Sequence, residues 1–190
     1  MDMSLQSKLL IAMPSLAEPV FSSSVIVLCA HSSEGAMGLI VNKPLPGMSF
    51  LDLADQVDMS KLSAEKAEML SQTPVYMGGP VDQQRGFVLH SPDFEGEHTL
   101  QINGEICVTS TLDILQHLAE GNGPRQFLLT LGYSGWSPGQ LENEILHNGW
   151  LHGDFDQDLV FSKDFAGKHA RAMQTIGVDP SKLSAAAGHG

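Results

Sequence analysis

The sequence predicts an α+β protein in which a mixed sheet is surrounded by helices. Three observations carry this. Several apolar runs are short, bounded by turn residues and rich in β-branched side chains, as strands are. Polar-capped segments with helical spacing fall between them. Asn103-Gly104 separates Thr99-Leu100-Gln101-Ile102 from Ile106-Cys107-Val108-Thr109, a hairpin signal that argues against a purely parallel, doubly wound sheet.

The strands can be placed in order. Val25-Ile26-Val27-Leu28-Cys29-Ala30 is continuously apolar, as expected of a strand covered on both faces. Gly38-Leu39-Ile40-Val41-Asn42 follows and ends at Lys43-Pro44, where proline imposes an extended or turning path. Phe87-Val88-Leu89-His90 precedes the hairpin. Phe127 to Tyr133 is a second buried strand, and Leu159-Val160-Phe161 reads as a short one.

Helices are marked by their caps. Ser49 with Asp52 opens one over Phe50 to Val57, and Ser110 with Asp113 opens another through Leu112, Leu115 and Leu118 to Gly121. Ser137-Pro138-Gly139-Gln140 places a capping serine, a first-turn proline and a glutamine before Leu141 and Ile145. Ser162 opens the last helix, with Phe165, Met173 and Ile176 apolar and Gly177 as terminator; a further, mostly exposed helix spans Ala64 to Leu70. Residues 1–183 read as one domain, followed by a frayed Ala-rich tail over 184–190.

Composition narrows the function classes. Apolar residues are 42% and charged residues 17%, which suits a globular chain. Ten Lys and Arg face 22 Asp and Glu, a formal charge of -12 that opposes direct nucleic-acid binding. Cys29 and Cys107 lie in apolar surroundings without a CxxC pair and read as free buried thiols of a reducing cytosol. Lys8 before Leu9-Leu10-Ile11-Ala12-Met13 resembles a leader, but Pro14 stops it short of the ~7–15 apolar residues required. No run reaches the ~20 apolar residues of a membrane helix.

The chemistry-bearing patterns are incomplete. GxxxxGK[ST], GxGxxG and HExxH are absent. Gly132-Tyr133-Ser134-Gly135-Trp136 has the order of a nucleophile elbow, yet Trp136 stands where the second glycine belongs and no acid–histidine pair is assigned. His147, His152, Asp154, Asp156 and Asp158 are the densest potential metal ligands. As a calcium loop they would place Leu159 at the obligatory glycine and Phe165 at the closing glutamate, so an acidic surface turn is expected instead. Met77-Gly78-Gly79-Pro80-Val81 with Arg85 is either a tight turn or an exposed row of N–H groups for an anion.

Taken in order, several stretches are similar to one bacterial family. They are Lys8 to Pro14, Ser24-Val25-Ile26 with Phe21 and His31, Gly38 to Pro44, Gly78 to Val81, Gly86 to His90, and Gly132 through Gly139-Gln140-Leu141-Glu142, Glu144-Ile145 and Asn148 to Trp150. This series resembles the AlgH/YqgE family over nearly the whole chain to Phe161. The resemblance implies a largely antiparallel α+β fold with a small barrel-like portion, in a cytoplasmic bacterial protein of undefined activity. Some members are labelled transcriptional regulators, which describes phenotype. Relatives often carry Ala where this chain has Ser134.

Two functions follow. The first is a non-enzymatic regulatory or adaptor protein whose effect on transcription is indirect. The second is a small-anion or small-molecule binder, or an enzyme, built on three loops: Asn42 and Lys43; Gly78 and Gly79 with Arg85; Tyr133, Ser134 and Trp136. No cofactor, catalytic residue or metal ligand is expected, and the partner is a protein or small molecule of unassigned identity, with neither nucleic acid nor membrane.

Overall fold

The computed structural model of the chain describes residues 4–55, 57–110 and 113–183. Ten strands lie among them: β1 Leu9–Ala12, β2 Val25–Ser32, β3 Gly35–Ile40, β4 Pro44–Ser49, β5 Pro74–Met77, β6 Val81–His90, β7 Thr99–Gln101, β8 Cys107–Thr109, β9 Phe127–Trp136 and β10 Trp150–Gly153. The described α-helices are α1 Phe50–Leu53, α2 Ala64–Ser71, α3 Asp113–Glu120, α4 Gln140–Leu146, α5 Gln157–Val160 and α6 Lys168–Thr175.

The strands form one curled half-barrel sheet in the order β10-β1-β2-β3-β9-β6-β8-β7, with β5 set against β9 and β4 against β5. Every pairing among the described residues is antiparallel except β5 with β9. The mixed, largely antiparallel α+β architecture read from the sequence is the one observed.

Strand periodicity distributes the core. Successive side chains of a strand point to opposite faces. Accordingly Leu9, Ile11, Val25, Val27, Cys29, Leu39 and Val41 join one apolar cluster, while Leu10, Ala12, Ile26, Leu28 and Ile40 join another. The first cluster continues across the sheet through Tyr76, Phe87, Leu89 and Leu128 and is closed by Leu159, Val160, Ala172 and Met173 of α5 and α6. The opposite face is covered in two portions. Leu141 of α4 packs with Trp136, Trp150 and Phe21, whereas Phe50, Leu70, Ile114, Leu115 and Leu118 from α1, α2 and α3 cover Val75, Val88 and Leu129. Along β1 and Val25–Cys29 of β2 both faces of the sheet are therefore dry, which explains continuous apolar runs in an antiparallel sheet.

Several local expectations are corrected. Leu159-Val160-Phe161 is not a strand: Asp156 Oδ1 accepts from Leu159 N at 3.1 Å and caps α5 over Gln157–Val160. The helix expected to run to Val57 is the four-residue α1, and the last helix begins at Lys168 rather than at Ser162. The strand expected to end at Tyr133 continues through Ser134 and Gly135 to Trp136 as β9. Gly139, with φ +75, precedes α4, while Ser137 N donates to Gln140 Oε1 at 3.0 Å. In the hairpin, Ile102 N donates to Ile106 O and Asn103 Oδ1 accepts from Glu105 N and Ile106 N, so three residues rather than two form the turn. The expected contribution of Leu112 and the 184–190 tail lie outside the described residues.

Candidate functional site

The three loops nominated from the sequence meet at one place, where β9 exchanges partners. Leu129–Leu131 of β9 pair with β5, and Ser134–Trp136 pair with β3 on the same side; β6 lies along the other side. Gly78 bridges the interval. Its N–H donates to Leu131 O at 2.8 Å, and its carbonyl accepts from Ile40 N at 2.9 Å and Ser134 Oγ at 3.1 Å. The chain then crosses β9 through Gly79-Pro80 and joins the far side, where Val81 pairs with Tyr133.

This crossing needs glycine. A Cβ on Gly79, at φ +158, would sit 2.1 Å from Tyr133 C, and one on Gly132, at φ +74, would sit 2.5 Å from Gly79 O. Both are closer than any real Cβ contact and involve backbone, which cannot swing aside.

The polar side chains at the crossing have internal partners. Asn42 Oδ1 accepts from Val25 N at 2.9 Å, and Asn42 Nδ2 donates to Ser23 O at 2.8 Å. Lys43 Nζ donates to Val20 O at 2.8 Å, its backbone carbonyl accepts from Met77 N at 2.8 Å, and partial burial lowers its ammonium pKa. Ser134 is 0% exposed. Trp136 is also buried, its indole N–H donating to Glu144 Oε2 at 2.9 Å. Arg85 alone points into solvent, on a segment where four residues, 82–85, stand opposite Gly132. Its guanidinium lies 5.0 Å over the Phe87 ring, and Phe87 meets half-buried Tyr133 edge-on at 5.9 Å.

The rest of the Gly132-to-Trp150 stretch builds an aromatic clamp. Glu144 Oε2 also accepts from Trp150 Nε1 at 2.8 Å, and Gln140 Nε2 donates to Glu144 Oε1 at 2.9 Å. Phe21 packs against both indoles. Nearby, His31 Nδ1 accepts from Leu5 N at 2.9 Å, which puts the ring proton on Nε2, 2.6 Å from Glu142 Oε1. The Glu142 carboxyl is held below the usual range by its own backbone N–H and then by His31. With both ring nitrogens engaged, His31 is not placed to take a proton from a substrate.

The acidic turn is also used internally. Asp154 pairs with Lys8 at 2.5 Å, Asp156 caps α5, and His147 Nδ1 donates to Asn143 O at 2.8 Å. Among the described residues no group of three or more His, Cys, Asp or Glu is arranged to hold a metal ion. Burial raises the Cys29 thiol to about 12, and burial with Glu95 nearby raises Cys107, so neither is a ready thiolate.

Two buried titratable side chains were not singled out in the sequence. Lys168 is 0% exposed; its Nζ donates to Val41 O at 2.8 Å and Val160 O at 2.7 Å and lies 5.2 Å over the Tyr76 ring. Burial, with Arg171 adding to it, lowers its pKa to about 8. The available signal was its spacing of four from Ala172, on the face that α6 buries. His90 is likewise 0% exposed: Nδ1 donates to Ser91 O at 2.8 Å and Nε2 accepts from Thr109 Oγ1 at 2.7 Å. Its flanking apolar run signalled burial but not partners.

A family model described as AlgH-like matches residues 9–181. The chain belongs to the AlgH-like family. It is 50% identical over 188 residues to a UPF0301 protein of Methylobacterium sp. (strain 4-46), a match covering 97% of this chain and 90% of the relative. A UPF0301 protein of Bradyrhizobium diazoefficiens is 50% identical over 191 residues, covering 97% and 88%. Among solved structures, the AlgH protein from Pseudomonas aeruginosa superposes with a TM-score of 0.78 at 36% identity, covering 100% of this chain and 98% of that one. Protein DIP2367 from Corynebacterium diphtheriae shares the fold, with a TM-score of 0.70 at 17% identity over 96% and 91% of the two chains. No helix among the described residues of this AlgH-like chain is long and apolar enough to cross a membrane.

Proposed function

We propose that this AlgH-like chain is a non-enzymatic regulatory or adaptor protein of the bacterial cytoplasm, acting through a protein partner or a small ligand. The observation that supports this reading is the fate of the polar groups at the crossing. Asn42, Lys43, Ser134 and Trp136 all bond to neighbouring protein groups, and Ser134 has a carbonyl rather than a base as its partner. A nucleophile needs a base within reach and access to substrate. Any effect on transcription is indirect, since a charge of -12 repels a polyanion.

The test is native mass spectrometry of gently purified protein, paired with partner capture from cell extract using wild type and Ser134→Ala. A reproducible bound mass or stoichiometric partner, retained by Ser134→Ala, is expected. A chain that comes through both experiments bare sinks the reading, as does a bound species lost only in Ser134→Ala. The glycine-rich loops remain a second, narrower proposal because Arg85 is exposed beside Tyr133. Titration with inorganic phosphate, followed at the Arg85 and Gly79 amides, tests it; unmoved signals remove it.

A further inference from the structure

We propose that Asn103, in the turn between β7 and β8, is a site of spontaneous covalent modification, where the side-chain amide is lost as ammonia through a cyclic imide. This goes beyond the regulatory reading and is independent of it. A backbone nitrogen attacks the preceding asparagine side chain most readily when it belongs to glycine, which has no Cβ to obstruct the approach. The chain holds three such pairs, Asn103-Gly104, Asn122-Gly123 and Asn148-Gly149. The fold treats them differently. Gly149 is buried and its N–H donates to Glu144 O at 2.8 Å, while Asn148 is held at φ +58. Gly123 is pressed against Leu118, where a Cβ would lie 2.9 Å from Cδ2, and Asn122 Oδ1 faces the His117 ring at 3.2 Å. Gly104 is exposed, and its N–H has no acceptor among the described residues.

The turn also activates the group under attack. Asn103 Oδ1 accepts from Glu105 N at 2.7 Å and from Ile106 N at 3.0 Å. Two backbone donors on an amide oxygen withdraw electrons from Cγ and stabilise the negative charge that attack places on that oxygen. A solvent base removes the Gly104 N–H proton, and the nitrogen forms a bond to Asn103 Cγ. The Cγ–Nδ2 bond then breaks, and Nδ2 takes a proton from water and leaves as ammonia. Water opens the imide at Cγ to give aspartate, or at the backbone carbonyl carbon to give isoaspartate. The step is redox-neutral and water is its only co-reactant. Isoaspartate carries the main chain through Cβ and Cγ, lengthening a turn closed by bonds from Ile102 N and Asn103 N to Ile106 O. The change falls at the edge strand β7, where Ile102 O also holds Gln6 Nε2 at 3.2 Å. It would therefore loosen the tie between the N-terminal arm and the far end of the sheet.

The experiment is peptide mapping by tandem mass spectrometry of the full chain aged in mildly alkaline buffer, with the urea-unfolded chain as reference. Folded Asn103 should convert within about threefold of its unfolded rate, because its attacking nitrogen needs no local opening. Asn148 should be slowed at least about tenfold by folding, because the bond from Gly149 N to Glu144 O must break first. Asn122 should fall between them. Gly104→Ala should slow Asn103 at least about tenfold, because the added methyl obstructs the attacking nitrogen. The same variant should keep the wild-type thermal midpoint and Asn122 rate: the φ of Gly104 is not positive, and nothing lies within 4 Å of the added Cβ. Protection of Asn103 equal to that of Asn148 overturns the proposal. So does faster conversion at Asn122 than at Asn103, or a wild-type rate at Asn103 in Gly104→Ala. Hydrogen exchange on the aged protein reads the effect on the fold. The Ile102 and Asn103 amides should exchange faster in the isoaspartyl fraction, and unaltered exchange there overturns the loosening of the turn.

Discussion

Glu144 accepts the indole N–H of Trp150 at 2.8 Å through the same oxygen that accepts the indole N–H of Trp136 at 2.9 Å. One carboxylate oxygen thus fastens the end of β9 to the start of β10 across α4. Removing it strands two buried donors, each costing about 1–3 kcal/mol. Glu144→Ala should therefore lose about 2–5 kcal/mol, and Glu144→Gln, which keeps an oxygen, clearly less. Urea denaturation followed by tryptophan fluorescence reads both; equal losses in the two variants would contradict the acceptor role.

The crossing makes an opposed pair of predictions. Ser134→Ala removes one bond to a carbonyl that keeps Ile40 N, and should cost about 1 kcal/mol. Gly79→Ala forces backbone against backbone and should cost more than about 4 kcal/mol. Soluble yield and thermal midpoint distinguish them, and a well-folded Gly79→Ala would refute the packed crossing.

His90 links stability to acid. Burial lowers its pKa from the ordinary 6.5 against smaller opposing effects of Ser91 O and Asp93. Below pH ~6.5 the unfolded chain therefore binds a proton that the fold resists, so stability falls as pH drops through that value. His90→Gln, which removes the titrating ring, should flatten this part of the profile. Urea midpoints between pH 7.5 and 5.5, compared across the two proteins, check it; parallel profiles would count against His90.

Lys168 has the matching effect at the alkaline end. Its pKa is lowered from 10.5 to about 8, so between those values the unfolded chain holds a proton that the folded one has released. This group then makes stability rise with pH. Lys168→Met leaves the Val41 and Val160 carbonyls without their donor and should cost about 1–3 kcal/mol near neutrality. The wild-type advantage should widen from pH 8 to 10. A constant difference would mean that the amine titrates normally.

The sheet was legible where strands are covered twice. Val25 to Cys29 alternates between two apolar clusters, so every residue had to be apolar. Leu9–Ala12 obeys the same rule but is four residues long and could not be separated from a leader-like run. Leu159 and Val160 misled for a related reason. A short apolar pair carries no period, and the capping Asp156 decides the matter. At the candidate site, the three loops could be named but their commitments could not. Ser134 meets Gly78 across 56 positions, and Lys43 reaches back 23 to Val20. Local patterns do not encode such distant pairings.

The order of strands around β9 constrains assembly. β5 and β6 flank this strand on opposite sides, yet Gly78-Gly79-Pro80 joins them directly, and β9 arrives much later in the chain. The central strand must therefore enter beneath a strap whose two ends are already synthesised, a long-range closure of the kind that slows folding. Its departure would unzip β3, β5 and β6 together. Disassembly should accordingly proceed in one step, with the two portions of the outer core melting at a common midpoint.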